Sequence, residues 1–127
     1  MATPEQIRAA VETYVASFGE RRDDYVACFA ADGTVEDPVG TPVRAGHVDI
    51  SAFWDETHGL SDATRLELTG PVRVAGNEAA FPIRAVVTLG GSDMVLPIID
   101  VMTFDDDAKI TAMRAFWDFA DLAPRES

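Results

Sequence analysis

The chain has 127 residues, 47% of them hydrophobic and 25% charged, which fits one globular domain around a single core. Its formal net charge of −12 comes without any basic cluster, which argues against nucleic acid or an anionic membrane as partner. No apolar run approaches the ~20 residues needed to cross a bilayer, and one cysteine, Cys28, cannot close a disulfide within the chain. The opening residues, Met1 to Gln6, read as neither a secretory signal nor a transit peptide, so a cytoplasmic protein is expected.

Thr3 is a good N-cap, with Pro4 at the first helical position and Gln6 placed to complete a capping box. Ile7, Val11, Tyr14 and Phe18 then recur on one helical face, and Gly19 is the expected stop. A second, short helix is expected from near Asp23, with Tyr25, Val26 and Phe29 inward and a break at Asp32-Gly33. Short extended pieces over 34–37 and 43–45 flank a loop holding Pro38 and Pro42. A third helix over about 47–58 sets Ile50, Phe53, Trp54 and Thr57 on one face, closed by Gly59. Strands follow over 65–73 (bent at Gly70-Pro71), 78–89, 94–104 and 109–119, separated by turns at Gly76-Asn77, Gly90-Gly91 and 105–108. Helices first and a strand meander after is an α+β layout. Three helices on a curved, mainly antiparallel sheet, with a pocket between them, account for the order. With no linker or repeat, residues 1–127 form one domain.

Asp100 is the most informative polar residue. Strand alternation puts it on the same face as Leu96, Ile98, Met102 and Phe104, where an ionised carboxylate is expensive to desolvate. Taking up a proton removes that expense and makes the group a hydrogen-bond donor. The plainer alternative is a buried aspartate paired with Arg84 or Arg114, or holding a backbone amide. Tyr14 lies on the apolar face of the first helix; it is either a core tyrosine or, aimed into a pocket, a neutral donor to a developing oxyanion. Asp37 precedes Pro38 at a strand end. It is either a turn aspartate or a general base held over a pocket mouth. His47 and His58 sit at opposite ends of one helix and cannot share a metal. The run 105–107 lacks the glycine and distal glutamate of a calcium loop. No nucleophile motif, phosphate loop or dinucleotide fingerprint is present.

Three segments together resemble a known family: Thr34-Val35-Glu36-Asp37-Pro38-Val39-Gly40, Leu68-Thr69-Gly70-Pro71-Val72-Arg73, and Ile98-Ile99-Asp100-Val101-Met102-Thr103-Phe104-Asp105. In wording, order and spacing they are similar to bacterial ketosteroid (steroid Δ5-3-) isomerases, and the likeness runs from the first helix to Trp117. The resemblance implies a nuclear-transport-factor-2-like cone with an apolar cavity, a homodimer formed through the sheets, a 3-oxo-steroid substrate and no cofactor. On matching positions Asp37 is the implied general base, and Tyr14 with protonated Asp100 the two oxyanion donors. That family is itself a well-known case of a carboxylic acid kept neutral by its site, so the logic is borrowed from it. Phe53, Phe81, Ile83, Ala85, Leu96, Met113 and Trp117 are the implied lining, although a closed core shows the same alternation. The positions matching the supporting tyrosines of some members hold Phe29 and Trp54, which predicts a simpler two-donor site. One residue is missing between Tyr14 and Asp37, and the gap is placed in the turn over 19–22. The rivals are another enzyme on the same scaffold, such as a polyketide cyclase-like or epoxide hydrolase-like protein, and a non-catalytic carrier of apolar ligands.

Overall fold

Thr3 starts the first helix as its neighbours dictate. In the computed structural model, which describes residues 1–126, its hydroxyl accepts from the Gln6 amide at 3.1 Å while the Gln6 side chain accepts from the Thr3 amide at 2.8 Å. The helix that follows, α1 (Pro4–Ser17), buries Ile7, Val11, Tyr14 and Ser17. It ends two residues before Gly19, with Phe18 as its cap and still in the core.

The second helix, α2 (Arg22–Ala27), is shorter than its inward pattern predicts, and Phe29 already belongs to strand β1 (Phe29–Glu36). Asp32-Gly33 is therefore no break. It lies inside β1, where pairing with strand β7 (Ile110–Phe116) shifts between Phe29 and Thr34. A Cβ on Gly33 would meet the Ile110 carbonyl oxygen at 2.8 Å, so only glycine lets the two strands approach this closely. After β2 (Arg44–Ala45), α3 (Gly46–His58) buries Ile50 and Phe53 and leaves Trp54 and Thr57 half-buried. His47 joins the start of α3 to β1 through a 2.8 Å hydrogen bond between Nε2 and the Phe29 carbonyl.

The expected strand over 65–73 is two pieces, β3 (Ala63–Leu68) and β4 (Arg73–Ala75). The chain bends at Gly70, where a Cβ would sit 2.8 Å from the Pro82 ring. Strands β5 (Glu78–Leu89) and β6 (Ser92–Phe104) form the long hairpin. Gly90 and Gly91 turn it with φ of 58° and 82°, a geometry that L side chains avoid. The last long strand stops at Phe116 because Asp118 caps a 3-10 turn (Phe119–Asp121), accepting from the Ala120 amide at 2.8 Å; β8 (Ala123–Pro124) then pairs with β6.

Sheet order is β2-β1-β7-β6-β5-β3, with β4 also on β5. Every pairing is antiparallel except β1 with β7, so the sheet is mixed. Its inner face carries Phe81, Ile83, Leu96, Met102, Phe104, Ile110 and Met113, all buried with the apolar stripes of the helices. Helix α1 packs against β3 and β4, and α3 against β1 and β2. Together they close a cone over the strands. Among the described residues no helix is long and apolar enough to cross a membrane.

Candidate active site

The β5–β6 hairpin decides which side chains face inward. Its register runs unbroken from Leu89 opposite Ser92 to Glu78 opposite Thr103. Alternation then points Leu96, Ile98, Asp100 and Met102 into the cone and leaves Ile99 and Val101 on the outer face. Asp100 is 1% exposed, opposite Phe81 on β5 and Ala115 on β7. Its Oδ2 is buried and meets no hydrogen-bond partner among the described residues. Neither arginine weighed from the sequence reaches it: Arg84 donates to Glu67 at 2.7 Å and Arg114 to Glu36 at 3.2 Å. Burial, reinforced by the nearby Asp37 charge, pushes the Asp100 carboxyl well above the ordinary aspartate value.

Asp37 follows β1 directly, and the Asp37–Pro38 bond is cis. The next residues lie along β7, where the Val39 amide donates to the Ala115 carbonyl at 2.8 Å. Asp37 and Asp100 thus reach Ala115 from the two flanking sides of β7. The Trp117 indole N–H donates to Asp37 Oδ1 at 2.5 Å. Burial raises the Asp37 carboxyl above its usual range, while the Trp117 bond and the more distant Arg44 pull it back. The group remains half-buried.

Tyr14 comes from the last turn of α1, on the buried stripe it shares with Ile7 and Val11. It is 2% exposed, with its ring 5.3 Å from Tyr25 and 6.3 Å, edge-on, from Phe29. Burial raises its phenol far above the usual value; Tyr25, Asp100 and Asp37 add to the shift in that order. One helix, one loop and one strand therefore bring Tyr14, Asp37 and Asp100 within each other's electrostatic reach.

Around them Phe53, Phe81, Ile83, Ala85, Leu96 and Met113 are buried, and Trp117 is half-buried. Trp117 was expected from the sequence only as apolar lining, and its polar edge is what holds Asp37. The sequence also assigned no chemistry to Tyr25, which is 0% exposed, its buried hydroxyl without a hydrogen-bond partner among the described residues. Its inward position on α2 was the signal available. Trp54 spends its N–H on the Phe18 carbonyl at 2.9 Å, so neither it nor Phe29 supports Tyr14 through a hydrogen bond. His58 stacks on Trp54 at 3.6 Å, at the other end of α3 from His47. Among the described residues no cluster of three or more His, Cys, Asp or Glu side chains is arranged to hold a metal.

Two surface grooves lie elsewhere. One, of about 400 Å³, is lined by Arg84, Val95 and residues 123–126. The other, of about 480 Å³, runs between the first two helices and the turn over 107–109. Both are open and mixed in polarity, and neither contains a carboxyl with a raised pKa. The two carboxyls that are pushed upward, Asp37 and Asp100, lie with the inner face of the sheet instead.

Residues 5–113 match the family model of the SnoaL-like domain. A Steroid Delta-isomerase of Nocardioides simplex is 38% identical over 118 residues, covering 92% of this chain and 94% of that protein. Among solved structures, the epoxide hydrolase/cyclase-like enzyme SalBIII, described for its role in pyran ring formation in the polyether salinomycin, superposes with a TM-score of 0.87. The match covers 98% of this chain and 100% of that one at 24% identity, a likeness of fold alone. This chain belongs to the SnoaL-like domain family, with the nuclear-transport-factor-2-like cone as its fold and a steroid Delta-isomerase among its relatives.

Proposed function

We propose that this protein is a steroid Δ-isomerase that converts 3-oxo-Δ5-steroids to their conjugated 3-oxo-Δ4 isomers. The observation that carries the reading is Asp100: a carboxyl group sealed in an apolar interior, without a cation, beside a second carboxyl and a buried phenol. Burial favours the protonated form of such a group, and in that form it can donate a hydrogen bond. The 38% identity to a Steroid Delta-isomerase supplies the substrate class.

The substrate carbonyl sits between Tyr14 and protonated Asp100. Asp37 removes the C4 proton, and the C–H electron pair moves into a dienolate whose oxygen carries the charge. The same carboxyl then returns a proton to C6, so the double bond shifts and no atom is gained or lost. Trp117 fixes Asp37 through Oδ1, leaving Oδ2 for the transfer. Partial burial raises the basicity of Asp37, which suits a group that must both take and return a proton.

A positioned base contributes about 10² to 10⁴ in rate, and one oxyanion donor roughly 10² to 10³. With 5-androstene-3,17-dione, wild type should produce conjugated-enone ultraviolet absorbance. Asp37→Asn should lose about 10² to 10⁴ of that rate while still binding ligand. Equal rates in the two proteins would eliminate the base; binding without conversion by wild type would indicate a carrier. An epoxide-opening site would need an arginine beside the acids, and Arg84 faces outward with Glu67.

The enzyme is a cytoplasmic homodimer in this reading. Ile99 and Phe116, opposite each other on the outer sheet face, are 47% and 41% exposed, and the Arg114 guanidinium lies 5.4 Å from the Phe116 ring centre. A second copy would cover this apolar stripe. Sedimentation should give twice the chain mass, and Ile99→Lys should give a monomer.

A further inference from the structure

We propose that His58 sets the substrate preference of this site: its ring Nε2 accepts a hydrogen bond from a hydroxyl on the end of the steroid remote from the reacting carbonyl. The proposal rests on the isomerase reading above and adds which substituent the enzyme favours at that end.

His58 closes α3 and continues, one turn on, the stripe of Ile50, Phe53, Trp54 and Thr57 that the helix turns toward the cone. Two contacts fix its ring. The imidazole stacks on the Trp54 indole, with ring centres 3.6 Å apart and planes 16° from parallel, and its Nδ1 lies 2.8 Å from the Trp54 carbonyl oxygen. Trp54 is itself anchored, since its indole N–H donates to the Phe18 carbonyl at 2.9 Å. A ring held in plane and in rotation has little freedom left in where its second nitrogen points.

The chemistry of that second nitrogen follows from the first. A carbonyl oxygen can only accept, so Nδ1 carries the hydrogen and the neutral ring keeps its lone pair on Nε2. His58 as a whole is half-buried, yet Nε2 is sealed from solvent and has no hydrogen-bond partner among the described residues. An acceptor in that state is costly unless a donor reaches it. Asp55, three residues earlier, is no partner either: it accepts twice from Arg22, both times at 2.8 Å.

The place of the ring names the ligand group. The His58 ring centre is 4.8 Å from Phe18, which packs on Tyr25 at 5.2 Å, and Tyr25 packs on Tyr14 at 5.3 Å. His58 thus stands in the same aromatic wall as Tyr14, with Phe18 and Tyr25 between them. A steroid whose 3-oxo group is held by Tyr14 and Asp100 can offer His58 only its opposite end. A hydroxyl there donates to Nε2, whereas a ketone sets lone pair against lone pair. The two ends of the substrate are then read by hydrogen bonds of opposite sense, donors at the carbonyl and an acceptor at the far ring.

The test compares 17β-hydroxy-5-androsten-3-one with 5-androstene-3,17-dione in wild type, His58→Phe and His58→Gln. Phenylalanine keeps the stack on Trp54 and deletes the acceptor, and the Trp54 carbonyl still receives the Thr57 hydroxyl at 2.9 Å. Glutamine supplies an amide oxygen as acceptor in place of Nε2. We expect His58→Phe to lower the alcohol-to-ketone ratio of kcat/KM by about 3- to 10-fold, the worth of one neutral hydrogen bond. The loss should lie in KM for the alcohol with kcat unchanged, because the contact is made equally in the ground and transition states. His58→Gln should hold the ratio within about 2-fold of wild type. Binding of the two conjugated products, followed by tryptophan fluorescence, should give the same ratios without turnover. A ratio that stays or rises in His58→Phe, equal losses for both steroids, or a ratio lost equally in His58→Gln would overturn the inference and leave the isomerase site standing. Failure of wild type to convert either steroid would overturn the isomerase reading, and the proposal with it.

Discussion

The two faces of the sheet treat acidic residues in opposite ways. On the outer face Glu67 is paired with Arg84, Arg65 and Arg125, and Glu36 with Arg114. Hydrogen bonds and charge from these partners, with the Gly40 amide leading at Glu36, hold both carboxyls below their usual range. On the inner face Asp100 has no cation and Asp37 has an indole N–H for its nearest partner, and both are pushed upward. The lesson is that strand alternation sorts chemistry as well as hydrophobicity. Arg84 and Arg114 sit one strand position away from inward residues, so the cations that would neutralise the interior acids are spent outside.

The most damaging way to break this contrast is to remove the inner acid altogether. Asp100→Leu should slow isomerisation by roughly 10² to 10³. Asp100→Asn keeps a neutral N–H donor and should cost less than about 10-fold. Steady-state rates on one substrate compare the two. Equal losses would mean that Asp100 does not act as a donor.

A pH profile sharpens the contrast further. In the proposed mechanism Asp37 acts as an ionised base, so kcat/KM should fall as pH drops through a value above the ordinary aspartate 3.8. Trp117→Phe removes the N–H that favours the charged form, so the acid limb should move to higher pH. A shift to lower pH would contradict the role given to the indole.

Stability should respond with opposite signs on the two faces, and here the effects are smallest. The native state holds the Asp100 proton more tightly than the unfolded chain does, so stability declines as pH rises above the ordinary value of 3.8. Asp100→Asn should therefore be more stable than wild type near neutral pH, with the gap closing below about pH 4. Glu67 runs the other way: its contribution is present above the ordinary 4.5 and is lost as pH falls through its lower native value. Glu67→Gln should destabilise by about 0.5 kcal/mol or less at neutral pH, because its partners are partly exposed. Denaturant melts at several pH values measure both.

Much of this was legible in the chain itself. Period-two alternation placed Asp100 inside and Arg84 outside, because both residues lie in long strands where the rule has room to act. The helix caps and the Gly90-Gly91 turn were equally local. What escaped was set by distant contacts. Gly33 reads as a stop until Ile110 is seen against it, for the meaning of a strand glycine depends on what approaches it. The parallel pairing of β1 with β7 joins the chain's beginning to its end, and no local pattern announces it. The indole of Trp117 finds a carboxyl 80 residues away, so spacing could mark it only as apolar. Tyr25 pointed inward on sequence grounds, but the crossing of two helices decides which ring it meets.

The reversal at Gly90-Gly91 lies far along the ribbon from the acids yet governs them. Two glycines with positive φ leave no slack in how β5 meets β6, and the pairs down the ladder inherit that setting. A slip of one position would carry Asp100 out to solvent and bring Ile99 or Val101 into its place. The enzyme would keep its composition and lose its acid. Fidelity of chemistry in this protein is thus enforced at a bend that touches no substrate.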